Sequence, residues 1–301
     1  KIIIVRLNYF LNLVNFKYSI FSILFLSAST VFALSINEIS QNLSFKEGFK
    51  ISVFGAIAFV FARTTGIVVN QCIDRFIDKK NTRTSKRVLP ANLVSLNFAW
   101  VLSLFCSFLF LFLCKILRIF SLGIASLTLM IVYPYMKRVT FFCHWGLGLV
   151  YTVAILMNFC AFAESGLSMR LCFLALLWGG SVGMVIAAND IIYAIEDTEF
   201  DREEGLRSVP AHYGEKKAVE IAKVNLWVSY LAYIFSGFVG SLDKEFYFTA
   251  IIPLVVILKV VRMYSNYSKK DQEGESKFFL ANIAIALSFL VSMTLFWSLS
   301  R

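Results

Sequence analysis

Asn70, Asp74 and Asp78 follow one another at intervals of four in "NQCIDRFIDKKNTRTSKRVLP", residues 70–90. On a helix, residues four apart share a face, so an amide oxygen and two carboxylates would project together over two turns. Such a set offers a hard-oxygen site that suits Mg²⁺, above all where phosphate oxygens complete its coordination. The plainer alternative is a solvated helix end on which acids and bases mix. Against it, carboxylates near a helix C-terminus oppose the macrodipole and call for a compensating cation. Six Lys or Arg residues lie in the same stretch.

A second set lies in "NDIIYAIEDTEFDREEGLRSVPAHYG", residues 189–214. Asp190, Tyr193, Asp197 and Asp201 fall at i, i+3, i+7 and i+11, the spacing of one helical face. The residues between them include Ile191, Ile192, Ala194 and Ile195, so a single helix is expected to run through the segment. Glu199, Glu203 and Glu204 sit off that face and are expected to be solvated. A third signal is Tyr133 with Lys137 in "YPYMKR". Alone it describes ordinary interfacial anchors, and Pro134 is a candidate break in the helix that carries them. A lysine that binds phosphate would complement a bound metal.

The elements that must position these residues follow from composition. Of 301 residues, 58% are hydrophobic and only 16% are charged, with a mean hydropathy of +0.73. The apolar runs are too long and too numerous for a soluble core, which makes the chain an integral membrane protein. About 20 apolar residues cross the hydrocarbon, and candidate spans are 18–36, 50–71, 93–114, 116–134, 145–163, 171–190, 222–241, 246–262 and 277–299. The third and fourth must form a tight hairpin. Residues 1–17 are expected to form an interfacial amphipathic segment, and the whole chain, 1–301, to form a single transmembrane domain. The six cysteines show no C-x-x-C spacing, and His144 and His212 suggest no ligand cluster.

Charge sets orientation. The net charge of +10 would suggest nucleic acid in a soluble protein, but here it marks loops that face anionic lipid, with no nucleic-acid partner implied. Lys and Arg concentrate in the connections after spans 2, 4, 6 and 8, which places those loops and the N-terminus in the cytoplasm. All three motifs then lie on the cytoplasmic side. Carboxylates at a membrane boundary are costly unless they bind a cation or line a wet cavity. Two acid sets with Lys and Arg nearby, above an apolar bundle containing 31 Phe, suit a diphosphate headgroup with a long hydrocarbon tail. A weak internal echo, D-x-x-x-D followed by Arg and Pro, recurs four spans apart.

Over nearly its whole length the chain resembles the UbiA superfamily of intramembrane aromatic prenyltransferases. N-x-x-x-D-x-x-x-D appears as Asn70, Asp74 and Asp78, Y-x-x-x-K as Tyr133 and Lys137, and D-x-x-x-D as Asp197 and Asp201, preceded by Asp190 and Tyr193. "NTRTSKRVLP" and "YPYMKRVTFFCHWGLG" look most like the 4-hydroxybenzoate polyprenyltransferase branch. That branch includes enzymes of ubiquinone synthesis and futalosine-route menaquinone enzymes that prenylate a dihydroxynaphthoate. "YAIEDTEFDREEGLRSVPA" leans towards the latter. Two departures stand out: Gln71 where many members have Asp, and a first span reading Tyr18-Ser19-Ile20-Phe21 without the branch's usual His and Pro.

The resemblance implies an all-α bundle of about nine transmembrane helices with a central cavity open to the cytoplasm, in a bacterial inner membrane. It implies transfer of a polyprenyl group from polyprenyl diphosphate to a ring carbon of an aromatic acid, with Mg²⁺ as cofactor. Asn70, Asp74 and Asp78 would hold one metal, and Asp197 and Asp201 the other. Lys137, Tyr133, Arg83 and Arg87 would contact the diphosphate, with Arg83 favoured over Arg87, and Lys137 would also assist the leaving group. Asp190 or Tyr193 would orient the acceptor or take its proton. The alternatives are a member of the same superfamily with a different acceptor, such as haem or a chlorophyll-like ring, and an ion-coupled transporter, which would place its acids nearer the bilayer midplane.

Overall fold

The computed structural model describes residues 2–15, 19–163, 166–266 and 274–300. The chain is all-α, with no strand among the described residues. Eight helices among them are long and apolar enough to cross a membrane. A ninth apolar helix, α2 (Ser19–Ser35), is shorter and occupies the first expected span. Tyr18 and the end of the 1–17 segment lie outside the described residues.

Contacts divide the chain into two compact units, Lys1–Ile20 with Val53–Tyr135, and Phe21–Ser52 with Met136–Arg301. The first acidic motif belongs to one unit and the second to the other.

In the first unit, α1 (Ile2–Leu13) ends against the long helix α4 (Phe45–Lys80). Leu13 and Val14 are buried in a cluster with Val68, Cys72, Val88, Leu89 and Ala99. The short helix α3 (Asn37–Ser40) precedes α4 in sequence and belongs to the second unit. Helices α5 (Leu96–Ile116) and α6 (Phe120–Val139) form the expected hairpin. Its tightness has two local causes. Arg118 takes a positive φ of 61° at the turn, and Gly123 lets the helices close, since a Cβ there would stand 2.9 Å from Cys114 Sγ. Ser95 caps α5 by accepting the Phe98 amide at 3.2 Å. Pro134 does not break α6. It sits buried inside the helix, which continues to Val139 and keeps Tyr133 and Lys137 one turn apart. Prolines are tolerated in membrane helices when neighbouring groups satisfy the freed carbonyl.

The second unit is built around α8 (Met169–Ala194), which is enclosed by α7 (Cys143–Phe162) and α11 (Glu215–Val239). Small residues permit the closest approach, as is usual where lipid removes the hydrophobic drive between helices. A Cβ on Gly148 would come within 2.5 Å of the Gly183 carbonyl, and Thr152 Oγ1 donates to the Gly179 carbonyl at 3.0 Å. On the other flank Ser181 donates to the Ser229 carbonyl at 2.8 Å. Helices α12 (Lys244–Thr249), α13 (Ile251–Ser265) and α14 (Gly274–Leu299) complete the unit. Its core is aromatic, with Phe32 stacked on Trp178 at 4.4 Å and Tyr233 donating to or accepting from Ser292 at 2.8 Å.

Candidate active site

Because α4 continues to Lys80, Asn70, Asp74 and Asp78 do share one face over its last turns. Asp74 and Asp78 are buried, at 3% and 6% exposure. The dipole that disfavours them there is opposed by cations: Arg87 Nη1 pairs with Asp78 Oδ2 at 3.0 Å, and Lys79 and Lys80 fill the last turn. The segment after the helix has its own logic. Asn81 Oδ1 accepts the Arg83 amide at 2.9 Å, closing a turn that leaves Arg83 exposed. Thr84 donates to the Asp78 carbonyl at 3.0 Å, satisfying one of the orphan acceptors at the helix end.

Gln71, where a further ligand was expected to be missing, has a different task. It is buried, and its amide Nε2 donates to the Leu13 carbonyl at 2.6 Å, tying α1 to α4. Its neighbour Asn70 stays half-buried, with no hydrogen-bond partner among the described residues. Arg63 went unnoticed in the sequence. It lies two turns before Asn70 on the same face of α4, and its Nε donates to Ser19 Oγ at 3.0 Å. A charge inside an apolar run was the signal that would have found it.

The second acid set departs from expectation. The helix ends at Ala194, and residues 195–197 turn before α9 (Thr198–Glu203) begins. Asp190 and Tyr193 therefore share a face of α8, while Asp197 and Asp201 belong to a separate turn in which the Asp201 amide donates to the Asp197 carbonyl at 2.8 Å. The four residues do not form one continuous helical face. Tyr193 is half-buried and meets the Phe278 ring edge-on at 6.0 Å. Ser208 donates to Asp201 Oδ2 at 2.7 Å. Burial pushes the Asp201 carboxyl above its ordinary range and nearby Asp197 acts in the same sense; the Ser208 hydroxyl and Lys137 pull the other way.

Chain reversal at Gly205, with a φ of 70°, returns residues 207–209 to this region. There the Arg207 amide donates to the Lys137 carbonyl at 2.6 Å, and Arg207 Nη1 to the Val139 carbonyl at 2.8 Å. The half-buried Lys137 is thus fixed at its backbone by the loop that supports Asp201. In the sequence His144 has no second ligand beside it. In the structure it is buried against Asp190, Nδ1 to Oδ2, at 2.7 Å. Its partners lie 46 and 65 residues away in sequence.

Among the described residues no three of His, Cys, Asp and Glu converge into a metal cage. The donors present are pairs of carboxylates with an amide. That complement fits Mg²⁺, which keeps several waters and takes one or two carboxylates beside substrate phosphates.

Comparison with known proteins identifies the family and the fold. The model of the UbiA prenyltransferase family matches residues 20–286. A 4-hydroxybenzoate octaprenyltransferase of Enterobacter sp. (strain 638) is 31% identical over 242 residues, covering 78% of this chain and 80% of that protein. Its namesake in Yersinia pseudotuberculosis is 29% identical over 252 residues, covering 82% and 84%. Among solved structures, the apo UbiA homolog from Aeropyrum pernix K1 superposes with a TM-score of 0.77 at 23% identity, covering 91% of this chain and 97% of that one. The Archaeoglobus fulgidus UbiA homolog bound to DMAPP and Mg²⁺ gives 0.66 at 17% identity, covering 95% and 98%.

Proposed function

The chain belongs to the UbiA prenyltransferase family, and from that premise we propose that it is a Mg²⁺-dependent aromatic polyprenyltransferase of quinone biosynthesis. It transfers a polyprenyl group from polyprenyl diphosphate to a ring carbon of an aromatic acid, either 4-hydroxybenzoate or a dihydroxynaphthoate. The observation that carries this reading is the buried Asp74–Asp78 pair at the end of a membrane helix, with Arg87 on Asp78 and Asn70 without a protein partner among the described residues. Buried acids of this kind are expensive unless a cation uses them.

Asn70, Asp74 and Asp78 would hold one Mg²⁺, and Asp197 and Asp201 a second. Bound Mg²⁺ supplies neutralisation of the diphosphate charge. Arg83, Lys137 and Tyr133 contact the diphosphate, and Arg87 does so while holding Asp78. The allylic C–O bond breaks with its electron pair leaving on the diphosphate. A ring carbon ortho to the phenol then forms the new C–C bond, and Asp190 accepts the proton that the ring loses. Tyr193, beside Asp190 on α8, helps orient the acceptor. Apolar helices exclude the water that would quench the allylic cation. The motif ends of the helices face the cytoplasm, following the distribution of Lys and Arg.

The test is direct. Purified protein in lipid is given Mg²⁺ and labelled polyprenyl diphosphate, with 4-hydroxybenzoate and dihydroxynaphthoates offered in parallel. Prenylation of one of these acceptors is expected. Failure with every phenolic acid, by protein that still binds the diphosphate, would refute the assignment.

A further inference from the structure

Asp190 holds only one partner among the described residues. Its Oδ2 is engaged by His144 at 2.7 Å, and its side chain remains 31% exposed. His144 itself is 3% exposed, in the first turn of α7. Its other ring nitrogen, Nε2, accepts the backbone N–H of Val209 at 3.2 Å. An amide donor at Nε2 requires a lone pair there, so the ring carries its proton on Nδ1 and donates it to Asp190. The tautomer is therefore set by a backbone group that cannot rotate away.

That backbone group is itself braced. Val209 follows Ser208, whose hydroxyl holds Asp201, and Arg207, whose amide holds the Lys137 carbonyl. Three consecutive residues thus serve the three site residues Lys137, Asp201 and Asp190, the last of them through the imidazole of His144. A buried histidine with no other task in the core, fixed at both nitrogens, has the arrangement of an orienting group rather than of packing filler.

We propose that His144 is a positioning residue for prenyl transfer: it holds Asp190 in one fixed rotamer through Oδ2, leaving Oδ1 to the aromatic acceptor. This rests on the assignment of Asp190 to the acceptor's proton. His144 touches no substrate. It acts through Asp190, and its loss is felt on the acceptor side of the reaction rather than on the diphosphate side.

Two amide replacements separate its two hydrogen bonds. In His144→Asn the amide nitrogen reaches the place of Nδ1 and keeps a donor for Asp190. In His144→Gln the amide oxygen reaches the place of Nε2, keeping an acceptor for Val209 while losing the donor to Asp190. Both are compared with Asp190→Asn and with the His144→Gln/Asp190→Asn double variant, in lipid, after confirming folding by size exclusion and by the thermal shift on adding Mg²⁺ and prenyl diphosphate. His144→Gln is expected to lower kcat/KM for the acceptor by about 10- to 100-fold, less than the ~10²–10⁴-fold that a positioned acid or base itself contributes. The KM for prenyl diphosphate should stay unchanged, His144→Asn should recover most of the loss, and the double variant should be no slower than Asp190→Asn. Equal losses in both His144 variants, additive losses in the double variant, or full activity in His144→Gln beside a crippled Asp190→Asn would overturn the role of His144. Full activity in Asp190→Asn would instead remove the assignment of Asp190 on which it rests.

Discussion

Arg87 Nη1 stands 3.0 Å from Asp78 Oδ2, bridging the last turn of α4 and the loop that follows it. The carboxylate is nearly buried while the guanidinium is 38% exposed. Removing the cation leaves an uncompensated charge in a dry place, which costs about 3–5 kcal/mol when a pair is fully buried. With Arg87 partly in solvent, about 1–3 kcal/mol is the reasonable range. Arg87→Ala should therefore lower thermal stability as well as turnover. Arg83→Ala, at an exposed position, should lower turnover with little change in stability. Melting curves in detergent beside initial rates decide between them; equal stability losses would contradict the distinction.

Ser208 makes two bonds with one hydroxyl. It donates to Asp201 at 2.7 Å and accepts the Ala211 amide at 3.3 Å as the N-cap of the short helix α10 (Val209–Tyr213). Ser208→Ala should cost about 1 kcal/mol of stability, the usual price of a lost cap, and should raise the Mg²⁺ concentration needed for half-maximal rate. An unchanged Mg²⁺ requirement would mean that Asp201 needs no support from this loop.

Gln71 donates to the Leu13 carbonyl. Replacing it with the acid common in the family would set a carboxylate against a carbonyl in a buried position, with no donor to satisfy it. Gln71→Asp should express poorly or melt lower, by roughly 1–3 kcal/mol, without gaining metal affinity. Tighter Mg²⁺ binding in this variant would show that position 71 can reach the metal after all.

Much of this was legible in the sequence, and the failures share a cause. The i, i+4 spacing of Asn70, Asp74 and Asp78 is a local pattern on one continuous helix, and it survives. The second acid set carries the same kind of spacing, yet the helix ends at Ala194. Neither Pro nor Gly marks that break, and apolar Ile191, Ile192 and Ile195 continue the helical pattern through it. Pro134 gave the opposite false signal, because local sterics do not show what a membrane bundle tolerates. His144 and Gln71 gave none, since their partners lie 46 and 58 residues away. Contacts of that range are set by tertiary packing and leave no mark in spacing.

Gly183 meets the Gly148 backbone across α7 and α8, where a Cβ would come within 2.7 Å of the carbonyl oxygen. Gly183→Ala should push the two helices apart and destabilise the unit that carries Asp190, with yield and melting temperature falling together. Gly180→Ala is the control, because a Cβ at that position meets nothing within 4 Å. Equal behaviour of the two variants would count against close packing as the reason for these glycines.

The central claim is that the acid pairs on α4 and around α9 support prenyl transfer by holding Mg²⁺. The most direct measurement is transfer of labelled polyprenyl diphosphate to the preferred acceptor by wild-type protein and by an Asp74→Ala/Asp197→Ala double variant, with and without EDTA. Product should fall to background in the double variant and in EDTA, and restored Mg²⁺ should rescue the wild type alone. Wild-type rates in the double variant, or transfer that persists in EDTA, would contradict the account.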